Sequence, residues 1–155
     1  MSVTLGETDY RDSAHERLRE AGALLENELY AGCVYLAGRA VEAMLRALIW
    51  KKDPDVRRGI RSLETGHDLR AMLALIRSLG VLRDFEAEQA INDGIQRVGR
   101  LWFNNMRFVP TKKLKTIWWE RGEITHRRTL KTAVNKYYDA CSDLIKRCEV
   151  LYANV

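Results

Sequence analysis

Proline, cysteine and histidine are all scarce in this chain of 155 residues, with two, three and three copies, and each shortage closes off a class of protein. With proline only at Pro54 and Pro110, long stretches hold nothing that would stop a helix. No run of four or more residues alternates apolar with polar in the β-branched, aromatic manner of a strand, so an all-α fold is expected. Cys33, Cys141 and Cys148 are too few and too scattered for a disulfide framework and lack the paired spacing of a zinc site; they are expected to be reduced core residues. The histidines sit on separate segments without the carboxylate motif of a zinc enzyme, and neither a phosphate-binding glycine loop nor a nucleophile elbow is present, so no metal or cofactor is expected. The longest apolar-rich run, residues 30–50, is broken by Arg39, Glu42 and Arg46 at helical spacing, which makes it an amphipathic or core helix rather than a membrane span. The opening "MSVTLGETDY" has no basic start followed by an apolar stretch, and a cytoplasmic protein is expected.

What is present fits one globular domain over residues 1–155. Hydrophobic residues at 46% and charged residues at 30% suit a soluble protein with a real core. The net charge of +5 makes an anionic partner plausible.

Apolar periodicity predicts a first helix over Asp9 to Glu28, with Tyr10, Ala14, Leu18, Ala21 and Leu25 on one stripe. A second, Leu29 to Lys51, follows at once and should form a helical hairpin with it. Residues 52–65 read as a long loop, and Thr65 with Asp68 as a capping box for a third helix, Gly66 to Leu79, ended by Gly80. A fourth runs from Asp84 to Arg107, with Phe85, Ile91, Ile95, Val98, Leu101 and Trp102 inward. Pro110 should break the chain, leaving it irregular or only briefly helical before a last long helix, His126 to Tyr152. Gly32 and Gly38, each costing about 1 kcal/mol inside a helix, offer a small-residue surface for close packing within the monomer or for a dimer face.

The ordered motifs Ala40-Val41-Glu42, Leu45 and Ala47, then His67-Asp68-Leu69, then Arg107-Phe108 and Pro110 resemble the HEPN family over about residues 10–150. The resemblance implies an up-and-down four-helix bundle with one additional helix that pairs into a homodimer. It also implies either a metal-independent endoribonuclease of toxin or defence type, or a non-catalytic module that binds a nucleotide or a nucleotidyltransferase-like antitoxin. The family's catalytic signature is an arginine followed, after four to six residues, by a histidine.

Two pairs in this chain meet that spacing, Arg61 with His67 and Arg121 with His126. With 18 arginines and three histidines, about one match is expected by chance, so position decides. The resemblance assigns His67 to a helix start and places Arg121 and His126 where the family keeps its catalytic pair. Gly122 separates these two, and Thr125 is expected to cap the last helix with His126 in its first turn, where the helix dipole would keep the imidazole neutral. His126 would then be a general base and Arg121 the stabiliser of charge on a phosphoryl group. Lys112, Lys113, Lys115, Trp119, Arg127 and Arg128 are the candidate RNA-binding residues around them, and one of Trp118 and Trp119 should be a core anchor. Gly122 departs from the family pattern, in which a polar residue usually follows the arginine. Glu42 and Arg46 are read as an ion pair on a helix surface.

Overall fold

Seven α-helices and a 3₁₀ turn account for most of the computed structural model, which describes residues 3–58 and 66–155. Helix α1 (Glu7–Glu26) begins two residues before expectation because the Asp9 carboxylate accepts the Gly6 N–H at 2.8 Å. A turn through Asn27, Glu28 and Leu29 leads into α2 (Tyr30–Lys52), and the two helices pack along each other as a hairpin. Helix α2 is the axis of the molecule: it is buried along most of its length and also touches α4, α6, α7 and the 3₁₀ turn.

The segment read as a long loop contains a one-turn helix, α3 (Pro54–Arg57), because Asp53 accepts from the Asp55 and Val56 N–H groups and Pro54 is already set for a first turn. Thr65 lies outside the described residues. Asp68 itself is the N-cap of α4 (Leu69–Ser78), accepting from Arg70 at 2.9 Å and Ala71 at 3.2 Å, so this helix begins three residues later than expected.

Helix α5 (Phe85–Leu101) stops six residues before Arg107. The cause is Trp102, whose backbone turns extended so that its indole can lie on α2 and donate to the Tyr35 carbonyl at 3.2 Å. Gly38 makes this possible, since a Cβ there would sit 2.2 Å from the indole Cδ1. Gly38 thus serves packing within the chain against a side chain, and Gly32 faces Leu24 of α1. Phe85, expected inward, is 78% exposed at the first position of α5.

A 3₁₀ turn (Asn104–Phe108) precedes α6 (Thr111–Glu120), a regular ten-residue helix where the chain was expected to be irregular or only briefly helical. Pro110 starts this helix instead of merely breaking the one before. Leu114 and Trp118, one turn apart, anchor it in the core. The last helix, α7 (Leu130–Ala153), starts four residues after His126, with Thr129 as its N-cap. Ala133, Val134, Tyr137, Cys141, Leu144 and Cys148 form its buried stripe. Among the described residues no helix is long and apolar enough to cross a membrane.

Candidate functional site at the α6–α7 junction

Helix α6 ends at Arg121, and Gly122, at φ +75°, reverses the chain in the left-handed conformation that favours glycine. The Glu123 and Ile124 N–H groups then return to the Trp118 carbonyl at 2.9 and 3.2 Å, and Glu123 is carried inward, only 5% exposed. Arg100 on α5 forms an ion pair with the Glu123 carboxylate, and Arg128 lies 3.8 Å from its other oxygen. Arg100 and Arg121 also exchange bonds: Nη1 of Arg100 donates to the Arg121 carbonyl at 2.9 Å, while Nη1 of Arg121 donates to the Arg100 carbonyl. The Arg121 guanidinium lies over the Phe103 ring, 5.4 Å from its centroid.

Beyond Glu123 the chain makes a tight turn. The Thr125 hydroxyl accepts from the N–H groups of Arg127 and Arg128, and the backbones of Thr125 and Arg128 bond to each other. Thr125 therefore caps this turn and not α7, so His126 stands ahead of the helix and the dipole argument for its neutrality does not hold. Its exposed ring meets Trp119 edge-on, with centroids 5.1 Å apart. Among the described residues no hydrogen bond or ring contact joins Arg121 to His126; the first rests on Phe103 and the second on Trp119.

Trp118 is fully buried, stacks at a tilt on Tyr137 and donates to the Leu101 carbonyl at 3.3 Å, whereas Trp119 is 47% exposed. Lys112, Lys113 and Lys115 are exposed on α6, and Arg127 is exposed on the turn. Positions 112, 115 and 119 share one helix face, which aligns two ammonium groups with the indole. Arg128 is half-buried beside Glu123. Glu123 and Arg100 were not singled out from the sequence, where the one available signal was an acidic residue directly after a helix-ending glycine.

A second polar centre lies on α2. Glu42, expected on a helix surface, is 1% exposed. Its carboxylate contacts Nη1 of Arg39 at 2.6 Å, Nη2 of Arg46 at 3.1 Å and Nδ1 of His67 at 2.6 Å. Asp68, not His67, performs the capping at this turn, and the His67 ring reaches back to Glu42. Arg61, the other half of that spacing match, lies outside the described residues. A clue was available: Glu42 falls between Val41 and Ala43 in the most apolar helix, with arginines three before and four after it.

A family model described as "HEPN domain" matches residues 8–104. The chain belongs to the HEPN family. The matched stretch of this HEPN chain runs from α1 to the 3₁₀ turn and so contains Glu42, His67 and Trp102, while Arg121 and His126 lie beyond it. No curated protein and no solved structure gave a significant match.

The three thiols of this HEPN protein are buried away from these centres. Burial pushes Cys33 and Cys148 up to about 12 and raises Cys141 as well, which keeps all three protonated and poorly nucleophilic.

Proposed function

We propose that this HEPN protein acts on RNA through the α6–α7 junction, as a metal-independent endoribonuclease that works as a homodimer. The observation that carries the reading is the presentation of His126: it stands exposed on a turn held by Thr125 and by the buried Glu123, beside an exposed indole and a lysine face. Phosphates would meet Lys112, Lys113, Lys115 and Arg127, and an unstacked base would meet Trp119.

In the reaction, the His126 imidazole removes the proton of a ribose 2′-hydroxyl and O2′ bonds to the adjacent phosphorus. The P–O5′ bond breaks, and the leaving oxygen takes a proton from the imidazolium of a second copy or from water. The products are a 2′,3′-cyclic phosphate and a 5′-hydroxyl. Arg121 keeps guanidinium donors beyond the one given to Arg100 and would stabilise the charge on the phosphoryl oxygens.

A specific observation favours a second reading. Arg121 and His126 rest on different aromatic rings and do not touch, and Gly122 contributes no polar side chain between them. That arrangement suits a non-catalytic module that binds a nucleotide or a nucleotidyltransferase-like partner on the same face.

Incubation of a mixed RNA pool in EDTA with wild-type protein, His126→Ala and Arg121→Gln decides between them, with the mass of each checked for dimer. Cleavage that falls at least about 100-fold in His126→Ala supports the ribonuclease. Equal cleavage by all three proteins, or none by any, removes it and leaves the binding module.

A further inference from the structure

The positive charge of the chain is not spread evenly. Residues 104–131, which run from the 3₁₀ turn through α6 to the start of α7, hold eight arginines and lysines against two acids, whereas the whole chain nets +5. The rest of the molecule is therefore close to neutral, with one acid in excess, and a polyanion is drawn to α6 first. Arg107, Lys112, Lys113, Lys115 and Arg127 are exposed there and form no ion pair among the described residues, unlike Arg39, Arg77, Arg100 and Arg147.

Exposed rings follow the same division. Among the described residues three aromatic side chains are exposed, Phe85, Phe108 and Trp119. Phe85 sits between Asp84 and Glu86, where a phosphate would be repelled. The other two bracket α6: Phe108, 74% exposed, ends the 3₁₀ turn, and Trp119 lies in the last turn of the helix. The Arg107 guanidinium covers one face of the Phe108 ring, 4.7 Å from its centroid, and the high exposure of the ring leaves its other face open. Helix α6 has ten residues and is thus about 15 Å long, roughly four base steps of a stacked strand. Lys112 and Lys115 lie between the two rings, on the helix face of Trp119.

We propose that the Arg107–Phe108 pair is a second base-stacking site, so that RNA lies along α6 as an unpaired strand with one base on Phe108 and another on Trp119. The inference rests on the RNA reading of the α6–α7 junction and adds to it the kind of RNA that fits. A paired base keeps its faces within the duplex stack, and the deep, narrow groove of A-form RNA admits no side-chain ring. The strand must therefore offer about four or more consecutive unpaired nucleotides to reach both rings. A second copy of the chain is the other natural cover for an exposed phenylalanine, but a two-fold contact here would set the basic segment against itself. An unpaired strand covers the ring and neutralises the cations together.

Fluorescence anisotropy of the full chain with a labelled 2′-O-methyl octanucleotide tests the proposal, because that strand lacks the 2′-hydroxyl nucleophile and reports binding whether or not the protein cleaves RNA. The single strand should bind at least about ten-fold more tightly than its duplex. Phe108→Ala should weaken single-strand binding about five-fold or more, the contribution of one stacked base, and Phe85→Ala should leave it unchanged. Arg107→Gln keeps the ring and should flatten the salt dependence of affinity by about one counterion. If Phe108→Ala does not fold, Arg107→Gln decides, and an unchanged salt slope overturns the proposal. Binding that Phe108→Ala leaves as tight as wild type overturns the second site, and a loss in Trp119→Ala then shows that the RNA reading of the junction survives it. No binding by wild type overturns both. Equal affinity for strand and duplex overturns the unpaired-strand part, and a Phe108→Ala protein that falls from dimer to monomer mass makes the ring an interface between copies and overturns the proposal.

Discussion

Glu42 and Glu123 are both carboxylates buried beneath arginines, and the contrast between their settings separates the two polar centres of this molecule. Glu42 stands mid-helix on α2, is contacted by two arginines and a histidine and lies within the stretch that marks the chain as HEPN. Glu123 stands on the turn between α6 and α7, has one close ion pair and one at 3.8 Å, and keeps Oε2 without a hydrogen bond. The same device, a buried acid that orders surface cations, thus fastens helices in one region and shapes a loop in the other. Loss of the first should damage the fold, and loss of the second should mainly damage the presentation of His126.

The largest expected effects follow from that difference. Glu42→Ala leaves Arg46 and its neighbours without their shared counter-charge, and a loss of about 3–5 kcal/mol is expected in urea unfolding. Glu123→Ala should cost less, about 1–3 kcal/mol, because Arg100 and Arg128 are partly exposed and can turn to water. Similar losses for the two variants would break the comparison.

The adjacent tryptophans allow a sharper test within α6. Trp118 fills the core and Trp119 does not, so Trp118→Ala should lose about 3–5 kcal/mol of stability, and Trp119→Ala no more than about 0.5 kcal/mol. In RNA binding the order should invert among folded variants, with Trp119→Ala weakening a filter-binding affinity by about 1–3 kcal/mol for the base it stacks. If Trp119→Ala binds RNA as tightly as wild type, the junction is not the RNA face.

On α2, Gly38→Ala places a methyl where the Trp102 indole lies, and a smaller loss of about 1–3 kcal/mol is expected from overpacking. A neutral outcome would mean that Trp102 can leave its seat without cost, and with it the extended link that ends α5.

The helices were largely legible because apolar spacing is a local property: the stripe from Ala133 to Cys148 on α7 is buried, and on α2 so are Cys33, Ala37, Ala40, Val41, Met44, Leu45 and Leu48, with Leu36 partly buried. Element ends were less legible where a distant contact sets them. Nothing near Trp102 in the chain shows that it must reach α2, yet that contact ends α5 six residues early. Pro110 was ambiguous because a proline can follow one helix or open the next, and only the burial of Leu114 and Trp118 reveals that it opens α6. Thr125 was read as the cap of the last helix, whereas Thr129 performs that role, so His126 precedes the helix it was expected to begin. At the candidate site, the burial of one of the two adjacent tryptophans and the turn at Gly122 could be anticipated, but which indole is buried could not, and the clamp of Arg100 on Glu123 joins residues 23 apart in sequence and carries no local signature. Glu42 was misplaced for a related reason: its arginines looked like surface partners until His67 closed the cluster from another segment.

A third acid gives the comparison its finest test. Glu149 on α7 meets Nε of Arg11 and Nε2 of His15, both at 2.7 Å, which repeats the arginine–carboxylate–histidine grouping of Glu42 in an open setting with 22% of the acid side chain exposed. Burial raises its carboxyl, but the hydrogen bonds from Arg11 and His15 outweigh that effect and hold it below the usual carboxylate range. A group depressed in the folded state stabilises the fold above its unfolded pKa, about 4.3 for glutamate, and that contribution disappears as pH falls through the lower folded value. Glu149→Gln should therefore remove a small part of the acid-side slope of stability below about pH 4.3 and leave the slope above pH 6 unchanged. Because the group faces solvent, added salt should erase most of the difference. The salt sensitivity is the discriminating readout, since the Glu42 carboxylate is buried where that of Glu149 is not: a Glu149 effect that persists in high salt would mean that the two acids are equally enclosed, and exposure would no longer explain why only one of them anchors the fold.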